Sequence, residues 1–422
     1  MKEASMRVGG WSLLACGMLL LALGIVGSGA LAQGQDDVIK IGMTNSFSGG
    51  LAQAASPVWR GVMVWQDWVN AQGGIMVKDR NKKMQVKVIY YDDETSRENL
   101  IRLYEKLATS DNVDFFFAPY GSGQTFVVAG LGDKYKKFMV STSGAAPNIY
   151  QQGYKYIIQG IMQADQFGRP YLDMLAKVDP DHKKIAMIYE DHLFPKSVAT
   201  LVKDVADKLG FQVVLFDRFP AGAQDVSAVL TRVKQLNPDH IYFMANIEGS
   251  IVGLRQMSEL KVRARSIAIL DNGMYYYKQA LGAKTLDGIM GPVEWDMSQR
   301  YKGITLGPNN DEFLALHKKR FPGVEPDNHT PLGTNAGIIL QRAIEQAGTL
   351  DSVKVREQFC TMKLTTLMGP QAWDCNTGLM KYPSDGGMPS IVTQWREDAS
   401  TVTVWPPEFG DIKLLKFPVN KF

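Results

Sequence analysis

Histidine and cysteine are scarce in this chain, and neither falls in a pattern that would hold a metal or build a catalytic pair. The five histidines, His182, His192, His240, His317 and His329, show no H-E-x-x-H or other ligand spacing, and each reads as a surface or cap residue. His192 alone lies in a loop that could touch a ligand. The sequence has no G-x-S-x-G elbow, no G-x-G-x-x-G opening a helix and no P-loop. These absences argue against the nucleophile-elbow hydrolases, dinucleotide binding and nucleotide binding. No cofactor is expected and no metal. A net charge of +3 carries no polybasic tract; Lys134, Lys136 and Lys137 form the one tight basic cluster and read as a solvated helix end. Nucleic acid is therefore not an expected partner. No apolar run beyond the N-terminus is long enough to span a bilayer.

That N-terminus pairs Lys2 and Arg7 with an apolar stretch over residues 11–26 and with Ala30-Leu31-Ala32, the three parts of a secretory signal peptide occupying residues 1–32. The rivals are a lipoprotein cleavage box at Leu13-Leu14-Ala15-Cys16 and an uncleaved anchor. Export would place Cys360 and Cys375 in an oxidising compartment, where a disulfide competes with two buried free thiols.

With 422 residues, 45% of them hydrophobic, the chain can bury more than one core. Strand-like runs alternate with amphipathic helices. Val38-Ile-Lys-Ile-Gly-Met43 is followed by a helix over 57–70, a strand over 84–91, a helix over 97–108, a strand over 113–117 and a helix over 125–136. The pattern restarts at Lys184-Ile-Ala-Met-Ile-Tyr189, with helices over 198–209 and 228–236 and strands over 211–216, 240–244 and 266–270. This alternation predicts α/β architecture in two like lobes, each a mainly parallel sheet covered on both faces.

In such sheets ligands sit outside the carboxyl ends of the strands, where helix N-termini favour anions. Phe138-Met-Val-Ser-Thr-Ser-Gly-Ala-Ala-Pro147 stands out, because an apolar run breaks into small residues with hydroxyls and accessible backbone N–H groups. Loops of the same kind fall at 45–53 and 120–124 in the first lobe, and at 190–194, 246–249 and 271–275 in the second. The acidic triplet Asp92-Asp93-Glu94 reads as a solvated turn.

Taken in order, Ile39-Lys-Ile-Gly, Phe47-Ser-Gly49, Arg60-Gly61 and Asn70-Ala-Gln-Gly-Gly-Ile75 resemble one family over nearly the whole chain after the leader. Tyr91-Asp-Asp93, Pro119-Tyr-Gly-Ser122, Ser141-Thr-Ser-Gly-Ala-Ala-Pro147 and Leu367-Met-Gly-Pro-Gln-Ala-Trp-Asp374 continue the match. The family is the type I periplasmic substrate-binding proteins of ABC transporters, specifically the branched-chain amino-acid (leucine/isoleucine/valine) receptors. The resemblance implies two Rossmann-like lobes, residues 37–158 plus 290–372 and 159–289 plus 373–422, joined by a three-crossing hinge. A Cys360–Cys375 bridge would then brace that hinge. It also implies a monomer in the periplasm that is no enzyme, takes a small-molecule ligand between closing lobes and hands it to a membrane permease.

By position, the loops that hold a ligand carboxylate fall at Gly121, Ser122, Ser143, Gly144 and Ala145, with Tyr120 and Gln53 as further ligand-binding positions in the strand-end loops. The acid that receives a ligand ammonium falls at Asp271, an aromatic lid at Phe194, and a side-chain wall at Asn246. Ala145 stands where threonine is usual, and Ala54 and Asn246 stand where aromatic rings are. Trp59, Tyr120 and the tyrosines at 275–277 add rings nearby. These departures leave two ligand classes open, an α-amino acid and another small carboxylate or amide such as an aromatic acid. Two other readings also stand: the ligand-binding subunit of a sensory system, and an exported hydrolase using Ser143 or Ser122 with His192 as base.

Overall fold

The computed structural model describes residues 38–419. The expected leader at 1–32 lies outside the described residues. Six strands build the first sheet: β1 (Val38–Asn45), β2 (Ile75–Val77), β3 (Lys82–Asp92), β4 (Phe115–Phe117), β5 (Met139–Ser141) and β6 (Ile157–Gln159), in the order β2-β3-β1-β4-β5-β6. All pairs are parallel except β2–β3. Seven strands build the second: β7 (Lys184–Asp191), β8 (Gln212–Pro220), β9 (His240–Met244), β10 (Ser266–Ile269), β11 (Met290–Val293), β14 (Ile391–Trp395) and β15 (Thr401–Trp405), ordered β15-β14-β11-β10-β9-β7-β8. The two last strands join antiparallel, and β12 (Leu364–Thr366) and β13 (Gly369–Gln371) form a separate hairpin.

The helices between them are α1 (Ala52–Ala71), α2 (Arg97–Thr109), α3 (Ser122–Tyr135), α4 (Ala164–Val178), α5 (Leu193–Lys208), α6 (Ser227–Leu236), α7 (Ile247–Leu260), α8 (Tyr275–Leu286), α9 (Asn310–Arg320), α10 (Thr330–Ala347) and α11 (Ser352–Glu357). The α/β expectation is met. Strands such as Phe115-Phe-Phe117 and His240-Ile-Tyr-Phe-Met244 are wholly buried. Burial on both faces is what turns a strand into an unbroken apolar run rather than an alternating one.

Sheet membership moves two boundaries: Gln159, expected in the second lobe, pairs with Ser141 in the first sheet. Residues 290–293, expected in the first lobe, pair with β10 and β14 in the second sheet, so the chain passes back to the first only after Val293. The acidic triplet is also different from a solvated turn. Asp93 is fully buried and accepts hydrogen bonds from the Ser46 hydroxyl (2.5 Å) and the Thr95 N–H (3.0 Å). Asp92 accepts from the N–H of Phe47 (3.0 Å) and the hydroxyl of Ser48 (2.8 Å), so the pair clamps the loop that follows β1.

Cys360 and Cys375 form a disulfide across a sequence separation of 15. The loop it closes holds the β12–β13 hairpin. A loop of this length constrains the unfolded chain by about 3 kcal/mol. The Cys360→Ala, Cys375→Ala double variant is therefore expected to shift the denaturant midpoint downward by that order; an unchanged midpoint would show that the bridge is thermodynamically idle.

Candidate functional site

The strand orders place one crevice in each sheet. In the first, successive connections leave β1 on opposite sides, with β3 on one flank and β4 on the other; in the second, β7 stands between β8 and β9 in the same way. Ligands bind at such switch points, outside the strand carboxyl ends. A cavity of about 430 Å³, counting the part open to solvent, lies there. Its walls follow the strand ends: Tyr120 and Gly121 after β4, Ser143 and Ala145 after β5, Ile161 after β6, His192 and Phe194 after β7, Asn246 after β9, Asp271 after β10 and Glu294 after β11. Leu51, Ser122, Gln124, Phe167, His329 and Leu332 complete it.

Three N–H groups of the stretch 141–147 are already bonded, contrary to the expectation that they are bare. The Gly144 N–H donates to the Ser141 hydroxyl (2.9 Å), and the N–H groups of Ala145 and Ala146 both donate to the Ser122 hydroxyl (3.1 and 3.2 Å). Ser143 accepts from the Gly121 N–H (2.8 Å). These bonds fasten two strand-end loops together and leave the free donors one step away, at the start of α3. The N-terminal N–H groups of any helix lack intrahelical partners. The α3 N-terminus also has no side-chain cap, because the N-cap is Gly121 at φ 87° and ψ 150°, a backbone conformation open only to glycine. The helices α5 and α7, whose N-caps His192 and Asn246 also border the cavity, likewise lack a side-chain cap, whereas α2, α9 and α11, away from it, are capped by Ser96, Asn309 and Asp351. An uncapped helix start facing a cavity is an anion seat.

The opposite wall is acidic. His329 lies in the cavity with its Nε2 3.2 Å from Asp271 Oδ1 and 4.0 Å from Glu294 Oε1, while its Nδ1 donates to the Ala54 carbonyl at 3.2 Å. Asp271 sits in the left-handed region at φ 51°, which aspartate tolerates better than most residues. Burial opposes charge on His329, yet Asp271, reinforced by Glu294 and Asp327, outweighs it and raises the histidine pKa to about 10. Burial pushes the Glu294 carboxyl up to about 7, against the pull of His329 and with help from the Asp271 charge. Burial, and then the charges of Asp271, Glu248 and Glu294, hold Tyr120 far above its usual range, so it stays a phenol. Its ring lies 5.2 Å from that of His329.

Among the described residues, Asp271, Glu294 and His329 are the one group of histidine and carboxylate donors drawn within 4.8 Å of one another. With both ring nitrogens of His329 protonated, no lone pair is left for a metal, and the group is a self-contained ion pair. It carries a pH prediction. A base whose pKa rises on folding stabilises the fold fully below its unfolded value, and that contribution is lost as pH climbs to the folded value. The groups facing His329 are Asp271, Glu294, Asp327 and Tyr120, with Arg60 behind Asp327. The melting temperature should fall between about pH 7 and pH 10, and His329→Gln should flatten that fall. Parallel slopes would place the titration elsewhere.

The periplasmic binding protein family profile matches residues 38–399. The chain belongs to that family. It is 22% identical over 396 residues to the leucine-, isoleucine-, valine-, threonine- and alanine-binding protein of Pseudomonas aeruginosa, covering 92% of this chain and 97% of the relative. Its fold matches a leucine-binding protein of Thermotoga maritima at 19% identity, with a TM-score of 0.74 over 89% of this chain and all (100%) of the other. It also matches a solute-binding protein of an ABC transporter from R. palustris, solved with 4-hydroxybenzoate, at 20% identity and a TM-score of 0.70 over 90% and 100%. No helix among the described residues is long and apolar enough to cross a membrane.

Of the residues expected at this family's cleft, Tyr120, Gly121, Ser122, Ser143, Ala145, Phe194, Asn246 and Asp271 border the cavity together. Gly144 does not; its carbonyl is turned inward, accepting from the Tyr150 hydroxyl (2.7 Å). Gln53 does not either. It is exposed and borders a separate groove with Arg60, Tyr275 and Glu325. Trp59 packs against Phe47, Tyr90 and Phe321 instead of the cleft, and Tyr277 is buried with its hydroxyl on the Leu270 carbonyl (3.2 Å).

Sequence reasoning gave Glu294 no role and His329 only that of a surface or cap residue; His329 does stand at the N-cap of α10. His240, His317 and His329 are all buried rather than surface residues. His240 bonds the Ser266 hydroxyl (2.8 Å), and burial lowers the pKa of His240 and His317 to about 4. His192 is kept neutral by burial, its Nδ1 has no partner, and its ring faces Gly123 at the start of α3. Neither the Ser122 nor the Ser143 hydroxyl bonds it; both accept backbone N–H groups instead. The nucleophile–base contact that a hydrolase would need is not formed among the described residues.

Proposed function

We propose that this protein is the extracytoplasmic receptor of an ABC importer, which captures a small carboxylate, an amino acid or a related acid or amide, between two closing lobes and delivers it to a membrane permease. It works as a periplasmic monomer and catalyses nothing. The observation that carries this reading is the uncapped N-terminus of α3 opening on a cavity whose walls come from the strand ends of both sheets. The ligand carboxylate takes the N–H groups at the start of α3, with Ser143 beside them, while Ile161, Leu332, Phe167 and Phe194 enclose its apolar body. Phe194 is braced edge-on by Phe167, ring centroids 5.5 Å apart. The Pseudomonas relative is named for amino acids and the R. palustris structure holds an aromatic acid; a carboxylate is what those ligands share.

The energetics are modest. Micromolar capture needs about −8 kcal/mol. Two or three hydrogen bonds to a charged group supply roughly 1.5–3 kcal/mol each, and burial of the apolar body supplies the remainder. Closure follows only if the ligand binds the closed form better than the open one. The test is to purify the exported protein without refolding, identify the co-purified ligand by native mass spectrometry, strip it and return it during small-angle scattering. A small acid and a reduced radius of gyration are expected. No compaction on return of the ligand would sink the closure mechanism.

A further inference from the structure

We propose that His329 occupies the place a ligand ammonium would take, so that the cleft selects small carboxylates that lack a cationic amino group and end in a neutral hydrogen-bond donor. This rests on the receptor reading above and names its substrate class. In an amino-acid site of this geometry the acid at position 271 must be free to receive the ligand's ammonium. Here Asp271 already receives His329 Nε2 at 3.2 Å, and the other ring nitrogen is held by the Ala54 carbonyl at 3.2 Å. The ring is therefore fixed at both ends, with both N–H groups used. His329, Asp271 and Glu294 are all buried.

What this wall still wants is a donor. Glu294 Oε2 accepts from the Asn328 amide (3.1 Å), but Glu294 Oε1 is buried without a hydrogen-bond partner, His329 Nε2 standing 4.0 Å away, and Gln124 Oε1 elsewhere on the cavity wall lacks one too. Asp271 is already balanced by His329 and burial pushes Glu294 toward its neutral form, so an ammonium at that acceptor would set a second cation against the imidazolium with little negative charge left to balance it. A hydroxyl or amide N–H satisfies it with no added charge. The cleft then reads end to end: α3 N–H groups for the carboxylate, rings and aliphatic side chains for the body, and Glu294 for a terminal neutral donor.

Matched acids test this by calorimetry on the exported chain, in buffer with EDTA. The pairs are 4-methylpentanoate against leucine and 3-(4-hydroxyphenyl)propionate against tyrosine, with 4-hydroxybenzoate alongside. Each acid lacking the amino group is expected to bind at least about tenfold more tightly than its partner, and the hydroxylated acids more tightly than 4-methylpentanoate. In His329→Gln the preference should shrink or reverse, because Asp271 is uncaged; if that variant does not fold, the wild-type pairs decide alone. Tighter binding of leucine or tyrosine overturns the inference and leaves the receptor reading standing. Binding of none of the five probes overturns both.

Discussion

Ser143→Asp is expected to abolish ligand capture, weakening it at least about a hundredfold, or about 2.7 kcal/mol, while leaving the melting temperature unchanged or slightly raised. Ser143 already accepts the Gly121 N–H at 2.8 Å beside the uncapped start of α3. An aspartate there can keep that bond and turn its second oxygen to the free N–H groups, which makes it a resident anion in the ligand's seat. Negative charge at a helix N-terminus contributes roughly 0.3–1 kcal/mol to stability, so loss of binding cannot be put down to unfolding. Ser143→Asn separates charge from shape: it preserves an acceptor of similar size and should retain much more affinity than the aspartate. Calorimetric titration with the ligand that co-purifies with the wild type makes the comparison. Equal affinity of wild type and Ser143→Asp would show that the carboxylate sits elsewhere.

The first lobe's half of this site was legible in the sequence because its signal is local. An apolar run such as Phe115-Phe-Phe117 or Phe138-Met-Val140, ending in small and hydroxyl residues, marks a buried strand and the loop at its carboxyl end. The loops that carry Asp271, Asn246 and Phe194 show the same local pattern, but the residues themselves came from the family resemblance. What the pattern could not show was where each N–H group of 141–147 points. Three of them bond hydroxyls within or beside the loop, and the free donors belong to α3.

The acidic wall was illegible for two different reasons. Glu294 follows a strand, but that strand contains Pro292, which lacks a ladder donor and argues against a central strand, so its residues look like a connection. Antiparallel pairing with β14, nearly 100 residues later in the chain, is what makes the strand. His329 precedes helix α10 as a polar residue among polar residues, Asp327-Asn-His-Thr, which looks like an ordinary cap. It reaches the cavity because α10 lies against α1, whose Ala54 carbonyl fixes the ring. Contacts at such sequence separations leave no local trace. The one available clue was chemical: an acid placed to receive a cation invites the question of which cation.

That dependence on α1 and α10 sets the largest stability effect. Gly333→Ala is expected to destabilise the protein by about 3 kcal/mol or more, at the upper end of overpacking costs. Alanine would ordinarily gain up to about 1 kcal/mol over glycine inside a helix. Here its Cβ would lie 2.0 Å from the Val58 carbonyl oxygen and 2.5 Å from the Val62 nitrogen, both backbone atoms of α1. No side chain can swing aside to relieve such a contact, so one helix must move away from the other. The rest of the seam forbids that movement cheaply. A Cβ on Gly61 would lie only 1.8 Å from the Thr330 carbonyl oxygen, the Thr334 hydroxyl donates to the Gly61 carbonyl at 2.7 Å, and Gly337 lies under the Trp65 ring. Separating the helices would also draw His329 away from Ala54 and Asp271, so ligand binding by whatever fraction remains folded should weaken as well. Gly50→Ala, which meets nothing within 4 Å, is the matched control and should stay within about 0.5 kcal/mol of wild type. Denaturant melts of the two variants decide the matter: a Gly333→Ala midpoint equal to that of Gly50→Ala would mean the helices are not held at backbone contact, and the argument that α10 positions His329 would fall with it.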